Sequence, residues 1–164
     1  MRPIGKTFIL LGILASLALP TIALGATRAA LEGADAGHFD VIANACGPNS
    51  TWARVHIIGA GSATLLGKYS YEANECFDGK LFYFGSFTMR TSKGNTIVGT
   101  YSGTVGPTSD PNVASYDQDA KILGGTGRFA RASGAFHVSG LANLATGAYS
   151  QKLIGTLSRS RPGA

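Results

Sequence analysis

Gly124-Gly125-Thr126-Gly127-Arg128-Phe129-Ala130-Arg131-Ala132-Ser133-Gly134 interrupts a chain that elsewhere alternates apolar and polar residues. Four glycines in eleven residues, with one Phe and two Arg between them, suit a segment that reverses direction and packs closely. Its flanks, Lys121-Ile122-Leu123 and Ala135-Phe136-His137-Val138, read as strands. Gly125 to Ala130 formally matches the dinucleotide fingerprint G-x-G-x-x-A. That chemistry needs a helix whose first amides hold a pyrophosphate. Here another glycine follows early and strand alternation resumes, so the stretch is a tight turn between strands. Gly59-Ala60-Gly61 fails the same test.

Working outward, 164 residues suffice for one domain with a real core. Gly is frequent at 23 residues, and charged residues are scarce at 14%. β-Branched and aromatic residues recur in short runs. This is the profile of a compact all-β protein with many turns, and not of a disordered chain.

Residues 1–25 read as a signal peptide. Arg2 and Lys6 give a basic start, Phe8 to Leu19 an apolar run, and Ala23 and Gly25 the small residues of a cleavage site before Ala26. The run is short for a membrane span, and no later stretch is long and apolar enough to cross a bilayer. Loss of Arg2 and Lys6 with the leader lowers the formal net charge from +5 to +3. The remaining basic residues are scattered, Arg54, Lys68, Lys80, Arg90, Lys121, Arg128, Arg131 and Lys152 among them. A nucleic-acid surface would concentrate them on one face. The expected setting is therefore secreted or periplasmic, with no nucleic-acid partner.

In an oxidising compartment, Cys46 and Cys76 most simply form one disulfide. Closing a loop of about 30 residues contributes roughly 3–4 kcal/mol in the chain-entropy model. The competing reading is a reactive or metal-binding thiol. His38, His56 and His137 are far apart and have no paired ligand spacing. No metal and no cofactor are expected.

Residues 26–51 read as a lead-in segment containing the turn Cys46-Gly47-Pro48-Asn49-Ser50 and the sequon Asn49-Ser50-Thr51. The barrel domain is expected over 52–160. Strands are expected at 53–59, 62–66, 68–77, 80–91, 95–105, 114–123, 131–140 and 146–158. Lys93-Gly94-Asn95 marks a hairpin, and Gly106-Pro107 to Pro111-Asn112 a longer loop. Eight short strands in succession predict a meander that closes into an antiparallel β-barrel, which removes exposed edges.

Side chains two apart share a face of a strand. Choosing the apolar face of each strand places Tyr69, Tyr71, Tyr83, Tyr101, Tyr116 and Tyr149 inside, together with Glu75, Gln118 and Gln151. Buried hydroxyls, amides and a carboxylate need partners. They either satisfy one another as a structural network or line a cavity, and an eight-stranded barrel has room for a filled core or one small ligand. The tyrosines with Gln118 and Gln151 are thus the candidate ligand-binding residues. Glu75 is the one candidate acid or base, because an apolar barrel raises a carboxyl's proton affinity; the plainer reading is a structural carboxylate paired with Tyr or Arg. Phe82, Phe84 and Val98 fall on the polar outer face, to be covered by the lead-in segment or by another subunit.

The run Ile122-Leu123-Gly124-Gly125-Thr126-Gly127-Arg128-Phe129-Ala130-Arg131-Ala132-Ser133-Gly134 resembles the G-G-T-G-[KR]-F…A-x-G segment of dirigent proteins and allene oxide cyclase-like barrels. Gly61 to Tyr69 and Gly94 to Thr104 resemble other hairpins of small secreted bacterial barrels of that superfamily. The resemblance extends over roughly residues 53–158. It implies an eight-stranded antiparallel barrel of calycin-type architecture with a central cavity, in which Gly124, Gly125, Gly127, Arg128, Phe129 and Gly134 form a structural turn. Members steer cyclisation or radical coupling of hydrophobic small molecules without a cofactor. Many are oligomeric, so a homo-oligomer is an open expectation. Three functions follow: a secreted barrel binding a small hydrophobic molecule, a cyclase or isomerase in the same lumen, and a filled structural barrel of the cell envelope.

Overall fold

The computed structural model describes residues 27–47 and 50–159. The expected leader, the sequon residue Asn49 and the end of the basic tail lie outside the described residues. Eight strands, β1 (Thr27–Ile42), β2 (Ala53–Ala63), β3 (Gly67–Phe77), β4 (Phe82–Thr91), β5 (Thr96–Pro107), β6 (Val113–Gly125), β7 (Ser133–Asn143) and β8 (Ala148–Arg159), pair in sequence order. All pairs are antiparallel, and β8 returns to β1 to close the barrel.

Two expectations about the strands are corrected. The segment 26–51 is not a lead-in outside the barrel: residues 27–42 are its first strand, paired with β2 on one side and β8 on the other. Its Ala, Gly and Asp have weak strand preference, but bonding along both edges overrides it. In place of the two pieces expected at 53–59 and 62–66, one strand runs straight through Gly59-Ala60-Gly61 and ends at Ala63, with 64–66 in the turn to β3. Merging those two and adding β1 keeps the count at eight.

The glycine-rich stretch closes one end. After β6 the chain makes a single 3-10 turn, Gly127–Phe129, which buries Phe129 completely. Gly127 has φ +55°, and a side chain there would collide with Asn95. Gly134 has φ +156°, and a side chain there would collide with the Thr156 carbonyl. Mutual hydrogen bonds between Thr96 and Thr126 tie the turn to β5. Arg128 lies over the Phe129 ring, 4.7 Å from its centroid, and donates to the Leu65 carbonyl at 2.7 Å. It clamps the plug to the β2–β3 hairpin. Leu31, Leu66, Met89, Ile97, Ile122 and Leu157 fill the barrel beneath.

At the other end the connections 78–81, 108–112 and 144–147 surround a mouth. Cys46 and Cys76 form the expected disulfide, with α-carbons 5.7 Å apart, and pin the β1–β2 connection to the end of β3. The same connection lays Trp52 on the outer face against Phe82 and Phe84, with centroids 6.4 and 5.7 Å away. Those two rings are thus covered in part. Val98 is not; it lies beside a bulge in the β5–β6 pairing that leaves Leu123 exposed.

Candidate functional site

Strand parity carries the polar interior. The inward positions of β3 are Tyr69, Tyr71, Ala73 and Glu75; those of β8 are Tyr149, Gln151 and Leu153. All six tyrosines point inward, and five of their hydroxyls bond within the barrel in three separate groups. In the first, Tyr69 and Tyr149 donate to the Asp35 carboxylate at 2.8 and 2.9 Å, and the Gln151 amide donates to it at 3.0 Å. Tyr116 in turn donates to the Gln151 oxygen at 3.0 Å. The other two are isolated pairs: Tyr101 donates to Glu75 Oε2 at 2.8 Å, and Tyr83 donates to the Gln118 oxygen at 3.1 Å.

Asp35 escaped the sequence reading. It is 5% exposed and is the hub of the largest group. The signal that could have found it is the alternation Leu31, Gly33, Asp35, Gly37, Phe39 in β1, which reads as one face only once 27–42 is taken as a strand.

Above these groups the barrel is open. A cavity of about 530 Å³ runs from the mouth down to Tyr71, Glu75, Tyr83, Tyr116, Gln118, Tyr149 and Gln151. Its upper wall is apolar, with Phe39, Val55, Ile57, Phe77, Val105 and Val113, and Lys80 and Asp110 stand at the rim. The two alternatives for the interior therefore both occur, at different heights: a packed closed half, and a cavity whose floor is the bonded polar network. Tyr69 and Tyr101 do not line the cavity; they hold the two carboxylates from behind. Tyr71 lines it, and no hydrogen bond ties its hydroxyl to the described residues.

The histidines are on the outside. His38 lies beside Asp40, His56 beside Glu72, and His137 between Asp117 and Asp119. Among the described residues no helix is long and apolar enough to cross a membrane.

No protein-family model matches this chain, and no curated protein sequence does. Solved structures do. The pterocarpan synthase dirigent protein PsPTS1 aligns with a TM-score of 0.59 at 13% identity, covering 83% of this chain and 97% of its own. The pterocarpan synthase dirigent protein GePTS1 aligns with a TM-score of 0.58 at 16% identity, covering 84% and 88%. The fold is that of a dirigent barrel. Identity this low carries architecture, not activity.

Within this dirigent-like barrel, burial governs the electrostatics. It pushes the Glu75 carboxyl up to about 7, against the opposing pull of the Tyr101 hydrogen bond. It also raises Asp35, despite hydrogen bonds from Gln151, Tyr69 and Tyr149 that favour the ionised form. Burial, followed by the neighbouring carboxylates, drives Tyr69, Tyr71, Tyr83, Tyr116 and Tyr149 upward, and burial followed by Tyr71 and Glu75 does the same for Tyr101. The hydroxyls stay protonated and serve as donors.

A carboxyl raised on folding favours the folded state while protonated and loses that contribution as pH rises through its folded value. For Glu75 the window runs from 4.5 to about 7. The difference corresponds to about 3 kcal/mol. Urea midpoints should therefore fall between pH 5 and pH 8, and Glu75→Gln should remove most of that fall. A residual slope of the same sign belongs to Asp35 and to His137, whose proton affinity its hydrogen bonds to Asp119 and Asp117 raise. An unchanged slope in Glu75→Gln contradicts the assignment.

Proposed function

We propose that this protein is an exported, cofactor-free barrel that binds a small hydrophobic molecule in its lumen. The observation that carries the reading is the one-ended cavity of about 530 Å³ with an apolar wall and a polar floor. Ligand sites commonly have this size and this division between burial and orientation. Tyr71, Tyr83, Tyr116, Gln118, Tyr149 and Gln151 are the proposed contacts, with Tyr69 and Tyr101 positioning the carboxylates behind them. The Cys46–Cys76 disulfide supports export, since such bonds persist in oxidising compartments.

A second reading is a cyclase or isomerase in the same lumen. It is favoured by Glu75, which lines the cavity and whose proton affinity near neutrality suits a general acid or base. Incubating the purified protein with its producer's metabolite extract, then analysing retained and released compounds by mass spectrometry, separates turnover from binding. Retention of an unchanged compound supports binding. A converted product whose yield falls in Glu75→Gln supports catalysis. No retention and no conversion refutes both.

A further inference from the structure

The lumen carries an imbalance of charge. Two carboxylates, Asp35 and Glu75, face inward from β1 and β3. Among the described residues, no Lys, Arg or His of any strand joins them. Arg54, Lys68, Arg90, Lys121, His137 and Lys152 occupy exposed outward positions, and Lys80 stands at the mouth. Asp35 is answered by three donors. Glu75 receives one, from Tyr101 to Oε2, and its other oxygen has no donor among the described residues.

The surroundings of Glu75 are aromatic. Tyr71, Tyr83, Tyr116 and Tyr149 line the cavity with it, and Phe39 and Phe77 lie above. Behind them Tyr83 packs on Tyr101 at 6.1 Å and Phe87 on Tyr101 at 6.4 Å. Ring faces attract a cation, more strongly when it is desolvated. A carboxylate with a free oxygen at the floor of an aromatic cup is the usual chemistry of an ammonium site. A neutral alcohol would leave the buried charge unanswered.

We propose that the lumen takes an organic ammonium ligand, a compact apolar body carrying a protonated amine, with Glu75 as its counter-ion. The proposal rests on the reading of the lumen as a binding cavity. The ammonium meets Glu75 Oε1 and the Tyr71 face, and the apolar body lies against Val55, Ile57 and Val105. The titratable groups facing Glu75 are Asp35 from β1, Tyr71 from β3, Tyr83 from β4, Tyr101 from β5, Tyr116 from β6 and Tyr149 from β8. Strands β2 and β7 present apolar or glycine positions, with Lys80 and Asp110 farther out at the rim. Of these groups Glu75 is the one whose carboxyl titrates at about 7, so the cation should bind more tightly as pH rises.

The test is calorimetric titration with 2-naphthylmethylamine and with its neutral partner 2-naphthylmethanol at pH 6 and pH 8. The amine is protonated at both. It should bind about tenfold more tightly at pH 8, the gain expected when only ionised Glu75 accepts it. The alcohol should show no such gain. Glu75→Gln should abolish the pH dependence for the amine. Equal affinity and pH dependence for the two probes in the wild type overturns the ammonium proposal while leaving the cavity reading intact, and this comparison needs no variant to fold. An undiminished amine gain in Glu75→Gln overturns it as well. Binding of neither probe overturns both the proposal and the reading beneath it.

Discussion

Replacing Phe129 with alanine is expected to lower the free energy of unfolding by about 3–5 kcal/mol. The ring is fully buried at the closed end, where it plugs the barrel above Leu31, Ile97, Ile122 and Leu157. Truncation loses its transfer free energy and leaves a cavity. The glycine-rich turn cannot collapse into that space, because the Thr96–Thr126 hydrogen bonds and Arg128 hold it in place. For a single domain whose total stability is of order 5–15 kcal/mol, this is a large fraction. The thermal midpoint should drop by about 10–20 °C. Arg128→Ala, which removes an exposed clamp from the same turn, should cost no more than about 1 kcal/mol. If Phe129→Ala unfolds within 1 kcal/mol of wild type, the turn is not the plug described here.

The second large effect is expected at Asp35. Asp35→Ala removes the acceptor of three converging donors and leaves Tyr69, Tyr149 and Gln151 to find others. An unsatisfied buried donor costs about 1–3 kcal/mol. Tyr149 and Gln151 line the cavity and can turn to water, but Tyr69 cannot, so the net cost should be about 2–4 kcal/mol. Asp35→Asn keeps one acceptor oxygen and the volume, and should recover at least half of that loss. Chemical denaturation of the two variants at pH 6 checks the order. Equal destabilisation by Ala and Asn would mean that the hydrogen bonds are not what Asp35 contributes.

How far the sequence could be read divides along the barrel axis. The inward faces of β3 to β6 and of β8 were legible because a strand has period two, and a run such as Tyr69, Tyr71, Ala73, Glu75 leaves little choice of face. The turn at Gly124 to Gly134 was legible because glycines crowd where other residues would collide. β1 was not. An Ala-, Gly- and Asp-rich segment has neither strand preference nor an apolar stripe, and its place is decided by the two edges it closes, Ala53–Ala63 and Ala148–Arg159. Asp35 was lost with it, since a lone aspartate among small residues looks like a solvated turn until Tyr69, Tyr149 and Gln151 are brought around it. The height at which packing gives way to cavity was also hidden. It depends on side-chain sizes from eight strands in register, Val55, Val105 and Ala114 being too small to meet across the mouth.

The central claim is that the open half of the barrel binds a small hydrophobic molecule. The most direct measurement is equilibrium binding of the neutral, polarity-sensitive naphthalene dye prodan to the wild type and to variants that fill the cavity. Val105→Trp and Ala114→Trp place an indole in the upper lumen, whereas Phe84→Ala trims the outer aromatic patch beside Trp52. One dye per barrel should bind the wild type with a blue-shifted emission, and each Trp variant should weaken it about tenfold or more, while Phe84→Ala leaves it unchanged. Dye binding that survives both Trp substitutions, or that disappears with Phe84→Ala, would contradict the account.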